Sequence, residues 1–169
     1  MTGTSRPWHH PSAPTLVRML GMTDEQLLEF NRDVIETFRA HGGVMPEGPF
    51  HGNPTLLLTM TGAKTGRTLT TPLTYAVDDD GALIVMASAG GSPKLPSWGH
   101  NLRANPAVTL EVFDETYRAT AVETHGGERE RVLARMVAAL PRFGDYQAKV
   151  EREIPLFRLV RHDLPNRKE

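Results

Sequence analysis

Gly62-Ala63-Lys64-Thr65-Gly66-Arg67 brings two cations, a hydroxyl and two glycines into one short stretch. A turn of that composition presents backbone N–H groups beside fixed positive charge, and so can cradle an anion. Taken alone, it reads first as a solvated hairpin turn with ordinary surface charges. It is not the phosphate loop of nucleotide hydrolases, because the GxxxxGK[ST] spacing fails and no helix follows. A second stretch, Ser88-Ala89-Gly90-Gly91-Ser92-Pro93-Lys94, leaves an apolar strand. Its small residues would let a flat ring approach backbone amides, and Lys94 could meet an anionic group; a flexible loop accounts for it as well. Trp98, His100, Asn101 and Arg103 share one short helix. There His100 is either a proton donor or a structural histidine, and Asn101 and Arg103 either cap backbone groups or touch phosphate.

Other chemistries are excluded. The chain of 169 residues has no cysteine, which removes disulfides, thiolate catalysis and cysteine-bound metals. Apart from the tail pair His9-His10, its histidines show no paired ligand spacing, so no metal is assigned. Asp78-Asp79-Asp80 lacks the further ligands of a calcium loop and reads as a solvated turn. No serine–histidine–acid order is apparent, so an enzyme here would take its hard chemistry from a cofactor. The net charge of -1 offers nothing to nucleic acid. No apolar run is long enough to cross a bilayer, and Met1 to Pro14 lacks the core of a secretory signal. A cytoplasmic protein is expected. Leu16, Val17, Met19, Leu20 and Met22 would allow peripheral contact with a membrane.

The elements that must hold these residues follow from periodicity. A capping box at Thr23-Asp24-Glu25-Gln26 starts a helix whose apolar face is Leu27, Phe30, Val34, Ile35 and Phe38, and His41-Gly42-Gly43 ends it. Strands are expected at Thr55–Thr61, Thr70–Val77 (with Pro72 at an edge or bulge), Ala82–Ser88, Val108–Phe113, Thr116–Val122 and Ile154–Val160. Helices are expected at Ser97–Ala104 and Glu128–Leu140, with a helical turn near Asp145–Arg152. Short antiparallel strands with few helices make this an α+β protein, a closed or nearly closed barrel. Residues 23–160 form the domain, between tails at 1–22 and 161–169.

Taken together, the segments resemble the deazaflavin-dependent nitroreductase family, split β-barrel proteins that use reduced coenzyme F420. The likeness runs from about Phe30 to Val160. It is carried by Phe38-Arg39-Ala40-His41-Gly42-Gly43, Leu56 to Gly66, Thr70-Thr71-Pro72-Leu73, Ala87 to Gly91, Pro93-Lys94, Trp98 to Pro106, Asp145-Tyr146-Gln147 and Arg152-Glu153-Ile154-Pro155. The resemblance implies a six- to seven-stranded split barrel with flanking helices and the cofactor in a groove across it. It implies that Ala63, Lys64 and Thr65 meet the phosphate end of the cofactor; Arg67 and Lys94 are further expected cofactor contacts, Arg67 adding charge there and Lys94 meeting another anionic group. Thr70, Thr71, Pro72 and Leu73 would line the ring and ribityl portion, Met86, Ala87, Ser88 and Ala89 would run beneath the deazaflavin, and Ser97, Trp98, Gly99, His100 and Asn101 would close the other side. Tyr146 would sit at the substrate mouth and, with Ser88, supply a hydroxyl to the acceptor.

Three departures matter. Leu69 stands where the family often has arginine, which Arg67 could offset. Thr74, Leu140 and Phe143 stand where nitroimidazole-reducing members have tyrosines, so the acceptor pocket becomes more apolar. Gly99 stands where an aromatic residue is common, which would open that wall. The expected activity is hydride transfer from reduced F420 to a hydrophobic conjugated acceptor (a quinone, enone or nitroaromatic), by a monomer or homodimer. The alternatives are a non-catalytic deazaflavin or fatty-acid carrier, and, third, a protein using flavin mononucleotide.

Overall fold

The structure, a computed structural model, describes residues 23–48, 50–88 and 94–162. The expectations about the N-terminal apolar group, and about Ala89, Gly90 and Gly91, fall outside these residues. The elements are α1 (Asp24–Ala40), β1 (Thr55–Thr61), β2 (Thr68–Thr74), β3 (Ala76–Val77), β4 (Leu83–Met86), α2 (Ser97–Ala104), β5 (Ala107–Val112), β6 (Glu115–Glu123), α3 (Gly126–Ala139), α4 (Arg142–Ala148) and β7 (Leu156–Arg161). The capping box forms as expected: Gln26 N–H donates to Thr23 Oγ1 at 3.1 Å and Thr23 N–H to Gln26 Oε1 at 3.0 Å.

All seven strands join one antiparallel sheet in the order β2-β1-β5-β6-β7-β4-β3. Its two edge strands are neighbours in sequence, joined by Tyr75 alone. The expected single strand over Thr70–Val77 is therefore two. Up to Thr74 the chain pairs with β1; from Ala76 it pairs with β4. The sheet must curl until its edges meet at Tyr75, and beyond that point β2 and β4 do not pair with each other. A cleft between them is the split of the barrel.

Alternation sorts the side chains, since successive residues of a strand face opposite sides. Leu56, Leu58 and Met60 of β1, Leu83 and Val85 of β4, Val108 and Leu110 of β5, Ala119 and Ala121 of β6, and Phe157 and Leu159 of β7 fill the interior. On the outer face, Leu57 meets Val34, Phe38, Met45 and Phe50 under α1. Ile84, Met86 and Leu156 meet Val132, Met136, Leu140, Phe143 and Tyr146 of α3 and α4. Strand β4 is buried along its whole length, because the barrel fills one side and these helices cover the other.

Two expectations are corrected by packing. The helical turn near Asp145–Arg152 is a helix that begins earlier, at Arg142, directly after Pro141. The aspartate run is a solvated turn only at Asp79 and Asp80, because Asp78 is 3 % exposed. Its carboxylate accepts from Arg131 at 2.8 and 3.1 Å and from Arg158 Nε at 2.9 Å, while Arg158 also pairs with Asp80. These arginines hold the Asp78 carboxyl far below the usual carboxylate range. The sequence shows three acids together; their partners lie 53 and 80 positions away.

Candidate active site

Register places the chemistry-bearing segments at one end of the barrel. Thr61 faces Thr68 where β1 turns into β2, and at the same end β5 starts at Ala107, β6 stops at Glu123, β7 starts at Leu156 and β4 stops at Met86. The Gly62–Arg67 turn and the exit of β4 toward Ser88 therefore share that end. Helix α2 is fastened to it on several sides. Ala63 N–H donates to Asn101 Oδ1 at 2.8 Å, Asn105 Nδ2 donates to Thr61 O at 3.4 Å, and Arg103 makes a paired contact with Glu123 at 2.9 and 2.8 Å. Lys94 O accepts from Arg152 at 3.2 Å, so Ser88 and Lys94, the two flanks of the small-residue loop, lie at this end as well.

The turn itself is tightly specified. Gly62 N–H donates to Arg67 O at 2.8 Å, Gly66 N–H donates back to Gly62 O at 3.0 Å, and Gly66 is left-handed at φ 72. A Cβ on Gly62 would meet Thr65 Oγ1 at 2.9 Å, and that oxygen already accepts from Arg67 N–H at 3.1 Å. Lys64 and Arg67 are exposed. Neither side chain has a hydrogen bond or ion pair among the described residues, whereas Arg39, Arg103, Arg131, Arg135, Arg158 and Arg161 are all held by carboxylates. Two unpaired cations on a rigid turn can take an anion.

The remaining expected contacts divide by face. Thr70 is drawn to the outer side by Thr59, their hydroxyls 2.9 Å apart, and Pro72 and Thr74 share that side. Leu73 packs on the interior cluster, and Thr71 shares its side. Of the four residues expected along the ring and ribityl portion, two thus take the interior side and two the outer. On α2, Trp98 packs inward with its ring 6.2 Å from Phe157. Asn101 is buried and tied to Ala63 and, at 3.7 Å, to Met60 Sδ. Ser97 and His100 point to solvent. Gly99 does not open a wall: a Cβ there would lie 2.7 Å from Leu95, which occupies the space.

Ser88 is 5 % exposed, two residues beyond Met86. Met86 shares its cluster with Leu140, Phe143 and Tyr146, and the last two rings meet edge to face at 5.1 Å. Thr74 lies at the opposite end of β2 from the Lys64 turn. Helix α4 is locked in place by Gln147, whose Oε1 accepts from Ile154 N–H at 2.9 Å and Arg129 Nη2 at 2.6 Å, while its Nε2 donates to Arg152 O at 2.7 Å. Sequence reasoning missed Arg142. Its guanidinium carbon lies 4.9 Å from the Phe143 ring centroid, and its charge bears on the Tyr146 hydroxyl one turn further along α4. The i, i+4 spacing after a helix-starting proline was the available signal.

The family profile for F420H(2)-dependent quinone reductase matches residues 30–161. This chain belongs to that family. An F420H(2)-dependent quinone reductase of Mycobacterium tuberculosis is 45% identical over 112 residues, covering 64% of this chain and 74% of its own length. A solved F420-H2 dependent reductase, FDR-A, is 41% identical with a TM-score of 0.58, over 63% of this chain and 93% of that one. Another solved chain, described as a domain-swapped dimer, is 34% identical with a TM-score of 0.59, over 81% of this chain and 99% of that one. The split-barrel architecture implied by the resemblance is the fold of these reductases. Among the described residues no helix is long and apolar enough to cross a membrane, and no cluster suits a metal ion.

The residues present fit a deazaflavin cofactor on two counts. A planar ring needs an opening with backbone at its rim, and β2 and β4, which do not pair with each other, leave the sheet open between them. An anionic tail needs cations not already spent on the protein, and Lys64 and Arg67 supply them at the end of that opening.

Proposed function

We propose that this protein is an F420H2-dependent quinone reductase with its active site in the cleft between β2 and β4. The observation that carries this reading is the placement of an unpaired cationic turn at the same barrel end as the split. Lys64 and Arg67 hold the phosphate end of the cofactor, with Ala63 and Thr65 framing the turn and Lys94 approaching from the other flank. Thr71, Leu73, Ala87 and Ser88 border the slot. Trp98 and Asn101 act from behind, fixing α2 against the turn. When bound, reduced F420 supplies the hydride. The chain's own contribution is to orient cofactor and acceptor, exclude water and hold a proton near the acceptor oxygen. Leu140, Phe143 and Tyr146 form an apolar flank suited to a hydrophobic ring.

Titration of the purified protein with F420, followed by cofactor fluorescence, tests the site. Oxidation of the reduced cofactor by menadione tests the reaction. Saturable micromolar binding with menadione-dependent turnover is expected. No binding at that concentration would sink the reading, and stoichiometric binding without turnover across an acceptor panel would leave a carrier instead. The domain-swapped relative supports a homodimer, which light scattering on the eluted protein would decide.

A further inference from the structure

We propose that Arg152 and Gly99 are positioning residues for cofactor binding: they brace the Lys94–Leu95 segment from two sides, and so keep Lys94, together with the Lys64 turn, at the phosphate end of the cofactor. This inference rests on that barrel end being the F420 site.

One side of the brace is a line of hydrogen bonds. Arg152 Nη2 donates to Lys94 O at 3.2 Å. Arg152 is itself fixed, because Gln147 Nε2 donates to its carbonyl at 2.7 Å. Gln147 is fixed in turn: its Oε1 accepts from Ile154 N–H at 2.9 Å and from the buried Arg129 of α3 at 2.6 Å. The line therefore runs from the core under α3 to the backbone of Lys94. The other side is a notch. A Cβ on Gly99 would fall 2.7 Å from Leu95 Cδ1 and 2.9 Å from its Cγ, closer than side chains pack. Gly99 lies within α2 and has no left-handed φ, so backbone freedom does not explain a glycine there, and glycine inside a helix is otherwise unfavourable. Space explains it. The missing side chain admits Leu95, which packs on the interior cluster with Trp98.

Both cationic flanks thus depend on one helix. Gly99 seats Leu95, and two residues further along α2 Asn101 accepts from Ala63 N–H at 2.8 Å. Lys94 is exposed while its neighbour Leu95 is half-buried, which leaves the ammonium on a fixed base. A base held in advance lowers the ordering cost of binding. Positive charge also gathers here: burial and the nearby Arg103 hold the Arg152 guanidinium below its ordinary value. Such a gathering favours an anionic occupant over a neutral one.

The experiment compares Arg152→Met, Arg152→Lys, Gly99→Ala, Lys94→Ala and the double variant Arg152→Met/Lys94→Ala. Each is titrated by fluorescence with F420 and with the same deazaflavin ring on its ribityl chain without the phosphate. Arg152→Met should raise the F420 Kd about 5-fold, the scale of one net hydrogen bond, and leave the Kd of the phosphate-free compound within about twofold. Gly99→Ala, which displaces Leu95, should give the same split. Arg152→Lys, which keeps a donor for Lys94 O, should recover much of the affinity. The double variant should bind F420 no more weakly than Lys94→Ala, because the brace acts through that lysine. Without cofactor, trypsin reports on the brace directly, since the bond after Lys94 carries the carbonyl that Arg152 holds. Cleavage there, followed by mass spectrometry, should be faster in Arg152→Met and in Gly99→Ala than in the parent. Equal loss of both ligands, additive losses in the double variant, or unchanged cleavage after Lys94 would overturn the proposal. Absence of F420 binding by the wild-type protein would instead overturn the reductase reading, and the proteolysis would still report on the brace.

Discussion

Lys64 and Arg67 gain their meaning from what they do not touch. A surface cation in an ion pair has already given up part of its attraction for a ligand, and an unpaired one on a fixed turn has not. Lys64→Ala should therefore weaken F420 binding by ~1.5–3 kcal/mol, the range for hydrogen bonds to charged groups, with thermal stability unchanged. Fluorescence titration and a melting curve check the two halves. Both cations stood out in the sequence as candidates, in a turn that also reads as a solvated hairpin; that neither is paired among the described residues comes from the fold. The roles of Asn101 and Arg103 were not legible there. Each was a plausible phosphate contact by type, and each is committed elsewhere, Asn101 to Ala63 and Arg103 to Glu123. Residue type announces donors and acceptors; only the fold says which are already used.

At the level of elements, α2 works as a clamp. Its inner side carries Trp98, Asn101 and Leu102 into the barrel end, and Asn101 holds the phosphate-side turn by the Ala63 N–H. Asn101→Ala should cost about 1 kcal/mol of stability and also raise the F420 Kd, since the turn loses its strut. Asn101→Asp, which keeps an acceptor for Ala63, should spare stability more than affinity. Chemical denaturation and cofactor titration separate these outcomes. The first helix shows why a family motif can be structural. In the Phe38 to Gly43 stretch, Arg39 grips Glu111 at 2.9 and 2.7 Å, Gly42 is left-handed at φ 61, and a Cβ on Gly43 would fall 2.3 Å from Phe113 Cα. That stretch docks a helix by close backbone approach. Helix and strand identities were readable from period and caps. The break at Tyr75 was not, because Thr70 to Val77 is continuous in β-type residues, and the change of partner is decided by which strand lies alongside.

Across the whole molecule, the buried Asp78 ties the β3–β4 turn to α3 and β7 through Arg131 and Arg158. Its pKa is depressed in the folded state, so its stabilisation is present above the ordinary carboxylate range. It is lost as pH falls through that range toward the folded value. Stability should thus decline below about pH 4. Asp78→Asn should be less stable at neutral pH by about 3 kcal/mol, near the lower bound for breaking a buried pair because Arg131 reaches water, and its acid decline should be shallower. Denaturation midpoints across a pH series measure both. The barrel itself was legible as a class, since short alternating strands with turn signals leave little choice. Its split was not, because closure depends on two edges that are adjacent in sequence and yet do not pair with each other.

The cleft leaves one flank of β2 bare among the described residues, a row of peptide groups in an edge strand. Such a flank is a template on which copies of the chain could stack, and Pro72, opposite Leu57 in the register, interrupts it. The ring thus acts as a guard against self-assembly while keeping the slot open for a small molecule. Pro72→Val should scatter more light on prolonged warming than the parent, and F420 should suppress the difference by occupying the flank first.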